Sequence, residues 1–394
     1  MLKYSVGIDI SSKTLDACIC VIDEQQKVVI RSSKSQLSNT REGFKKLIEW
    51  IEKNHKNKEV LLVVCMEATG VYYENCALYL HQLGYQLSII LPNKAKKYMQ
   101  SLGLKSKNDK IDSKGLAQMG AEQFLKQWNP LAEYYHALRS LTRQHQSLQE
   151  LKTGIGNQLH ALHYSMYKQK VVEKQLRKTI NFIEKQLAEL EVAINDHIKS
   201  DEIVFQKVEN ICKIKGLGIL TVAVIIAETN GFDLFENAKQ LVSYAGYDAI
   251  ENQSGKYFGK TRISKKGNSR IRRCLHMPAF CVVKYEQKIF SNLYQRTYAK
   301  HSIKMKSYVA VQKKLLTTIY ALWKKDEVFD NNYQPQIKGN IQEKEQVLTS
   351  RHGSERAEKN SQTNSLAIQG KHPMSDHSLL PLGRNKSKNK LQKI

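Results

Sequence analysis

A chain of 394 residues has room for two or three domains with separate cores, and its 41% hydrophobic content is that of a soluble globular protein. Its 62 Lys and Arg outweigh 37 Asp and Glu by +25, which points to a polyanionic partner, nucleic acid above all. No membrane span or secretory leader is expected, since no apolar run nears the roughly 18 residues of a span, and a membrane surface is a less favoured partner than nucleic acid because no basic helix backs its charges with bulky aromatics.

The run Tyr4-Ser-Val-Gly-Ile-Asp-Ile-Ser-Ser12 is β-rich and too short for a helix, so it predicts a core strand carrying one carboxylate, Asp9. A lone acid there is costly without a cation against it; capping a turn at Ser11 and Ser12 is the equal alternative. Strands over 15–22 and 27–33 complete an antiparallel meander. Residues 40–54 predict an amphipathic helix burying Phe44, Leu47, Ile48 and Ile51, with Thr40 as N-cap and Glu42 in the first turn. The unbroken apolar run over 60–66 reads as a strand covered on both faces. A helix over 72–84 and a strand over 86–92 follow. Three strands, helix, strand, helix, strand is the order of an α/β ribonuclease H-like (RuvC-like) fold. A helix over 109–127 is expected to bury Ile111, Leu116, Met119 and Phe124.

Beyond 131 the pattern changes. Leu138, Leu141, His145, Leu148, Lys152, Ile155, Leu159 and Leu162 fall in alternating steps of three and four, as do Leu176, Ile180, Ile183, Leu187, Leu190 and Ile194. Two heptad-patterned helices broken near 164–170 predict a long hairpin or a dimerising coiled coil, with a plain spacer arm as the bland reading. A mostly helical, densely basic domain follows, and past Tyr333 the chain turns polar enough to predict disorder. The expected division is a catalytic domain over 1–130, a coiled-coil arm over 131–205, a basic domain over 206–330 and a disordered tail over 331–394. Seven scattered cysteines (18, 20, 65, 76, 212, 274, 281), odd in number, fit buried thiols in a reducing cytoplasm. His160 and His163 share a helix face and read as a packed or solvated pair rather than metal ligands.

Three more acids bear on Asp9. Glu67 ends the buried run, and a ribonuclease H-like sheet would set its strand beside the first. Asp109 and Asp112 lie three apart at a helix start; favourable placement at the helix dipole is their structural reading. Four converging carboxylates repel one another unless divalent cations neutralise them, and hard oxygen donors suit Mg²⁺ or Mn²⁺. Two such ions can clamp the attacking and leaving oxygens of a phosphodiester displacement.

In the basic domain, Lys215, Gly216 and Gly218 open a helix as a glycine turn able to approach a phosphate; an interhelical turn is the equal alternative. Residues 256–273 hold Lys256, Lys260, Arg262, Lys265, Lys266, Arg270, Arg272 and Arg273 with no acid, a composition suited to gripping a phosphate backbone. Just before them Ser254 precedes a glycine. A serine hydroxyl becomes a nucleophile only when deprotonated or when its oxyanion is stabilised, and neighbouring cations supply the second.

In this order the motifs resemble the DEDD transposases of bacterial insertion sequences, the insertion-sequence one-ten family. The matching pieces are Val6-Gly-Ile-Asp-Ile10, Glu67-Ala-Thr-Gly70, Leu91-Pro-Asn93 and Lys107-Asn-Asp-Lys-Ile-Asp112, then Lys215-Gly-Leu-Gly218, Ser243-Tyr-Ala-Gly246, Gln253-Ser-Gly255 and Ser264-Lys-Lys-Gly-Asn268 with Arg272. The resemblance implies that Asp9, Glu67, Asp109 and Asp112 hold the metal ions and that Ser254 forms a covalent phosphoserine link to DNA, with Ser243 as the other serine in the pattern. It further implies a homo-oligomer, a dimer or tetramer, that pairs donor and target DNA through a structured guide RNA. A RuvC-like junction resolvase using water is the main alternative. A sugar-kinase or actin-type ATPase would need a glycine-rich phosphate turn where Ser11-Ser-Lys13 stands, and a binding protein without catalysis would tolerate loss of Asp9.

Overall fold

The structure, a computed structural model, describes residues 2–103, 109–251, 253–255, 257–259 and 261–332. β1 (Lys3–Ile10), β2 (Thr14–Ile22) and β3 (Val28–Ser38) form an antiparallel meander. α1 (Arg41–Asn54) then leads to β4 (Leu62–Glu67), α2 (Glu74–Gln82) to β5 (Gln86–Ile90), and α3 (Pro92–Ser101) and α4 (Asp109–Glu122) follow. β4 lies parallel to β1 and β5 parallel to β4, giving a 5-stranded sheet in the order β3-β2-β1-β4-β5. That mixed sheet, covered by helices on both faces, has the expected ribonuclease H-like layout.

β1 is central, and its side chains alternate between two cores. Tyr4, Val6, Ile8 and Ile10 join Phe44, Leu47 and Ile51 of α1 and Cys76, Ala77 and Leu80 of α2. Thr40 caps α1 by accepting the Gly43 N–H. On the opposite face α4 packs Leu116, Ala117, Met119 and Ala121 against Cys18, Cys20, Cys65 and Ile90. Gly7 lets α4 approach: a Cβ there would lie 2.1 Å from the Ala117 nitrogen and 2.2 Å from the Ser113 oxygen, both backbone atoms that cannot swing aside. Gly7→Ala is therefore expected to cost about 3 kcal/mol or more in urea unfolding, and to push the first turn of α4 away from β1.

Several expectations change in detail. β3 continues to Ser38 because Gln36, at φ +56°, takes up the irregularity between the Leu15–Leu37 and Ala17–Lys34 pairs. Pro92 starts a helix, α3, that the sequence reading left out; proline suits the first helical position, where its missing N–H is no loss. Phe124, expected in the core, is 103% exposed because α4 ends at Glu122 and the residue falls past it. Lys107 and Asn108 of the matched motif, and the tail from 333, lie outside the described residues.

α5 (Glu133–His163) and α6 (Lys170–Lys199) pack antiparallel, with Lys152 bonded to Glu184 at 2.9 Å and His145 to Glu191 at 3.2 Å. Every heptad position named above is buried or half-buried. At the base, Leu138, Ile194 and Ile198 enter the core of the C-terminal part. There α7 (Glu202–Cys212), α8 (Ile219–Thr229) and α9 (Ala238–Tyr244) precede four two-residue strands: β6 (Ala249–Ile250), β7 (Gln253–Ser254), β8 (Tyr257–Phe258) and β9 (Arg262–Ile263). β6 pairs with β9 and β7 with β8. α10 (Ser269–Cys274), α11 (His276–Lys284), α12 (Lys288–His301) and α13 (Lys304–Lys325) complete it around Phe232, Phe290, Leu315 and Ile319. Cys18, Cys20, Cys65 and Cys76 are buried, and burial pushes the last three thiols up to about 12. No helix among the described residues is long and apolar enough to cross a membrane.

Candidate active site

The β1–β4 register pairs Ile8 with Met66, so Asp9 and Glu67 are the next residues on adjacent parallel strands, where backbones run about 4.8 Å apart. Alternation puts both on the α4 side, with Gly7 and Cys65. Asp109 and Asp112 occupy the first turn of α4. Asp9 senses the other three: burial first, then the charges of Asp109, Asp112 and Glu67, push its carboxyl up to about 6 against the opposing Ile10 N–H bond. Among the described residues no three His, Cys, Asp or Glu side chains stand close enough to enclose an ion, so the carboxylates share a field without meeting at one point. Sequence reasoning missed a further acid. Asp16 pairs directly with Asp9 across β1 and β2 and is only 6% exposed. Its signal was the alternation of Leu15-Asp-Ala-Cys-Ile-Cys20, which puts Asp16 on the face of Cys18 and Cys20.

The loops that carry these acids are tied together. Asn39 Nδ2 donates to the Ser11 carbonyl at 2.9 Å and the Tyr72 carbonyl at 3.1 Å. Its backbone N–H donates to the Lys13 carbonyl at 2.8 Å. One side chain after β3 thus fixes the turn beyond Asp9 to the loop beyond Glu67.

In the C-terminal part the motifs around 243–246 and 264–268 form one platform. The N–H groups of Ser264, Lys265 and Asn268 donate to the carbonyls of Asp248, Gly246 and Tyr244 at 2.8, 3.1 and 2.7 Å. Gly267 is required by contact, since a Cβ would lie 2.4 Å from the Tyr244 oxygen. Ser254 is exposed at the end of β7, paired with Tyr257, and Gly255 at φ +55° turns the hairpin immediately after it. Ser243 is exposed on α9.

The predicted cations divide into two groups. Lys215, Arg262, Lys265 and Lys266 are exposed, while Lys256 and Lys260 lie outside the described residues. Arg272 instead donates to the Ala245 carbonyl at 2.8 Å, Arg273 pairs with Glu150 of α5, and Arg270 lies 3.9 Å from Glu228. The glycine turn also divides. Gly216, at φ +99°, backs onto α11, where a Cβ would lie 2.7 Å from the Cys281 Cβ, whereas Gly218 caps α8 with open space around it.

Glu228 organises this region and was not singled out from sequence. Only 1% exposed, it receives Arg143 Nε and Nη2 at 2.7 and 3.0 Å and Asn268 Nδ2 at 2.8 Å, with Arg139 at 3.9 Å. Burial pushes its carboxyl up, but the Arg143 bond and charge, helped by Asn268 and Arg139, hold it below the usual carboxylate range. The signal was available: one acid closing the apolar run of α8, the same kind of anomaly that marked Asp9.

Comparison with known proteins places the chain in a family. Residues 6–167 match a DEDD family model described as "Transposase", and residues 208–295 match one described as "Transposase IS116/IS110/IS902 family". The pilin gene-inverting proteins of Moraxella bovis and Moraxella lacunata are each 28% identical over 333 residues, 84% of this chain and 98% of theirs. Thermus thermophilus RuvC in complex with a Holliday junction substrate aligns at 12% identity and a TM-score of 0.25, over 32% of this chain and 99% of RuvC. With the two models matching in order along one sequence, the chain belongs to the IS116/IS110/IS902 family of transposases and is a DNA transposase or recombinase.

Proposed function

We propose that this transposase cuts and rejoins DNA with a serine nucleophile from its basic part and a metal-dependent acidic centre from its sheet. The observation that carries the reading is the placement of Asp9 and Glu67 at the ends of adjacent parallel strands with Asp109 and Asp112 in the first turn of α4 packed on that face, where burial and then the charges of the other three acids raise the Asp9 carboxyl. All four are hard oxygen donors, the chemistry that suits Mg²⁺ or Mn²⁺, and an ion drawn among them would stabilise charge on the phosphodiester oxygens. Asp9 and Glu67 are held on neighbouring strands, Asn39 fixes their loops, and α4 brings the remaining two acids. Ser254 Oγ attacks phosphorus, the bond to one sugar oxygen breaks, and that oxygen leaves as a hydroxyl once protonated. The incoming strand's hydroxyl then reverses the exchange and frees the serine. Exposed Lys265, Lys266 and Arg262 grip the backbone. The assembly is a homo-oligomer in which acids and serine meet within one subunit or across two. Pairing of donor and target through a structured guide RNA is carried over from the family resemblance.

The test is to trap the protein–DNA adduct under denaturing conditions. Ser254→Ala is expected to abolish the adduct and strand exchange together, while Ser243→Ala retains both. Cleavage that persists in Ser254→Ala with no adduct would replace this reading with water-mediated, RuvC-like hydrolysis.

A further inference from the structure

A second charged surface lies on α11, α12 and α13. Five rings form a chain of contacts across the three helices: His276 to Phe280 (5.1 Å between centroids), Phe280 to Tyr308 (3.9 Å), Tyr308 to Tyr294 (4.6 Å) and Tyr294 to Tyr298 (5.9 Å). The last pair is nearly parallel, at 8°, and the terminal ring, Tyr298, is 37% exposed. The segment that carries that end is strongly basic. From 276 to 314 stand eight Lys and Arg and a single acid, Glu286.

The cations are also uncompensated. Among the described residues Arg296, Lys300, Lys304 and Lys306 have no carboxylate partner. Ser302, at φ +53°, ends α12, and α13 begins two residues later, so Lys300 and His301 of one helix end face Lys304 and Lys306 of the next helix start. Cations at a helix N-terminus oppose its dipole, and the first turn of α13 carries no acid to offset them. Slight burial, then Lys306 and Lys300, lower the His301 pKa. Lys300 suits the C-terminal end of α12, but Lys304 and Lys306 have no such compensation, and an external anion would supply it. A second copy of the same corner would be repelled.

We propose that the Tyr298 end of this aromatic chain and the Lys300–Lys306 corner bind unpaired nucleic acid, with a base stacked on Tyr298 and the backbone held by the lysines. Stacking on an exposed ring flanked by cations is how single strands are gripped without sequence preference. Duplex DNA keeps its bases internal and would use only the charges. The corner lies beyond residue 295, where the second family match ends. The proposal rests on the chain's action on DNA and not on the serine chemistry.

Binding of the full-length protein to labelled oligo(dT) and oligo(rU) of about 20 nucleotides, and to a duplex of equal length, tests it by fluorescence anisotropy across a salt series. Tyr298→Ala is expected to weaken single-strand binding roughly 5- to 100-fold and duplex binding less than about 2-fold, while Tyr298→Phe stays near the parent. Replacing Lys300, Lys304 and Lys306 together by Gln is expected to flatten the single-strand salt slope by about 2. A loss on either single strand supports the proposal, and the larger loss names DNA or RNA as the source. Three results overturn it: parental affinity and slope in both variants, an equal loss on duplex in Tyr298→Ala, or a change in mass by light scattering with binding intact, which would make the corner a self-association surface. Since no bond is broken in this assay, its outcome is separate from that of the adduct experiment.

Discussion

Asp9→Asn is expected to abolish strand exchange and, in EDTA, to leave the protein more stable than its parent. The first half follows from position. Asp9 is flanked by Glu67 on the next strand and by the start of α4, so its loss removes the central donor of the proposed ion site. Charge stabilisation by a bound divalent ion is worth several kcal/mol, or roughly 10³-fold or more in rate. The second half follows from the raised pKa of Asp9, about 6 against an ordinary 3.8. Between those values the folded state holds a proton that the unfolded state has released, so stability falls as pH rises through the window and the full cost is present above about 6. Asparagine cannot ionise, and near pH 8 it should recover about 1–3 kcal/mol. The difference should vanish below the unfolded pKa, near pH 3.5. Urea melts of both proteins at acid and alkaline pH check the sign. Adding Mn²⁺ should then raise the melting temperature of the parent and not of the variant. An Asp9→Asn protein no more stable than its parent in alkaline EDTA would mean that the acids do not strain the fold.

The sheet was legible because its strands announce themselves by short β-rich runs and its order by their spacing. Tertiary closeness was less so. The sequence made Gly7 look like a motif letter, and only the packing of α4 shows that it makes room for a helix backbone. Phe124 looked like the next turn of an amphipathic helix, but helix length is set by where the chain must leave the sheet. Asp9 and Glu67 were brought together by topology alone, whereas Asp16 and Asn39 needed register and hydrogen bonds to be seen. The basic run was legible as charge. Its division into exposed lysines and arginines spent on Ala245, Glu150 and Glu228 depends on a backbone carbonyl or on carboxylates distant in sequence, one of them more than a hundred residues away, and no local pattern predicts it.

Glu228→Ala should be the most destabilising substitution of a charged residue in the C-terminal part. The carboxylate is 1% exposed and joins three elements: Arg139 and Arg143 of α5, its own helix α8, and Asn268 and Arg270 at the start of α10. Removing it leaves guanidinium groups facing one another and frees the Asn268 amide, and breaking such a buried pair from one side costs about 3–5 kcal/mol. Arg143→Ala should cost less, since Asn268 and Arg139 remain with the carboxylate. Because the Glu228 pKa is lowered in the fold, its contribution is present above the unfolded glutamate value and is lost as pH falls through its folded one. The gap between parent and Glu228→Ala should therefore narrow in acid, as that of the Asp9 pair does, but with the opposite sign: here the parent is the more stable protein at high pH. Hydrogen exchange should locate the effect: amides of Ser264, Lys265 and Asn268, bonded to the 244–248 turn, should lose protection, while β1 and β4 keep theirs. Glu228→Gln retains the shape and one acceptor, so it should fall between the two. A Glu228→Ala protein within about 1 kcal/mol of its parent, with those amides still protected, would show that the platform holds through its backbone bonds alone, and that the link between the arm helix and the serine-bearing part is not electrostatic.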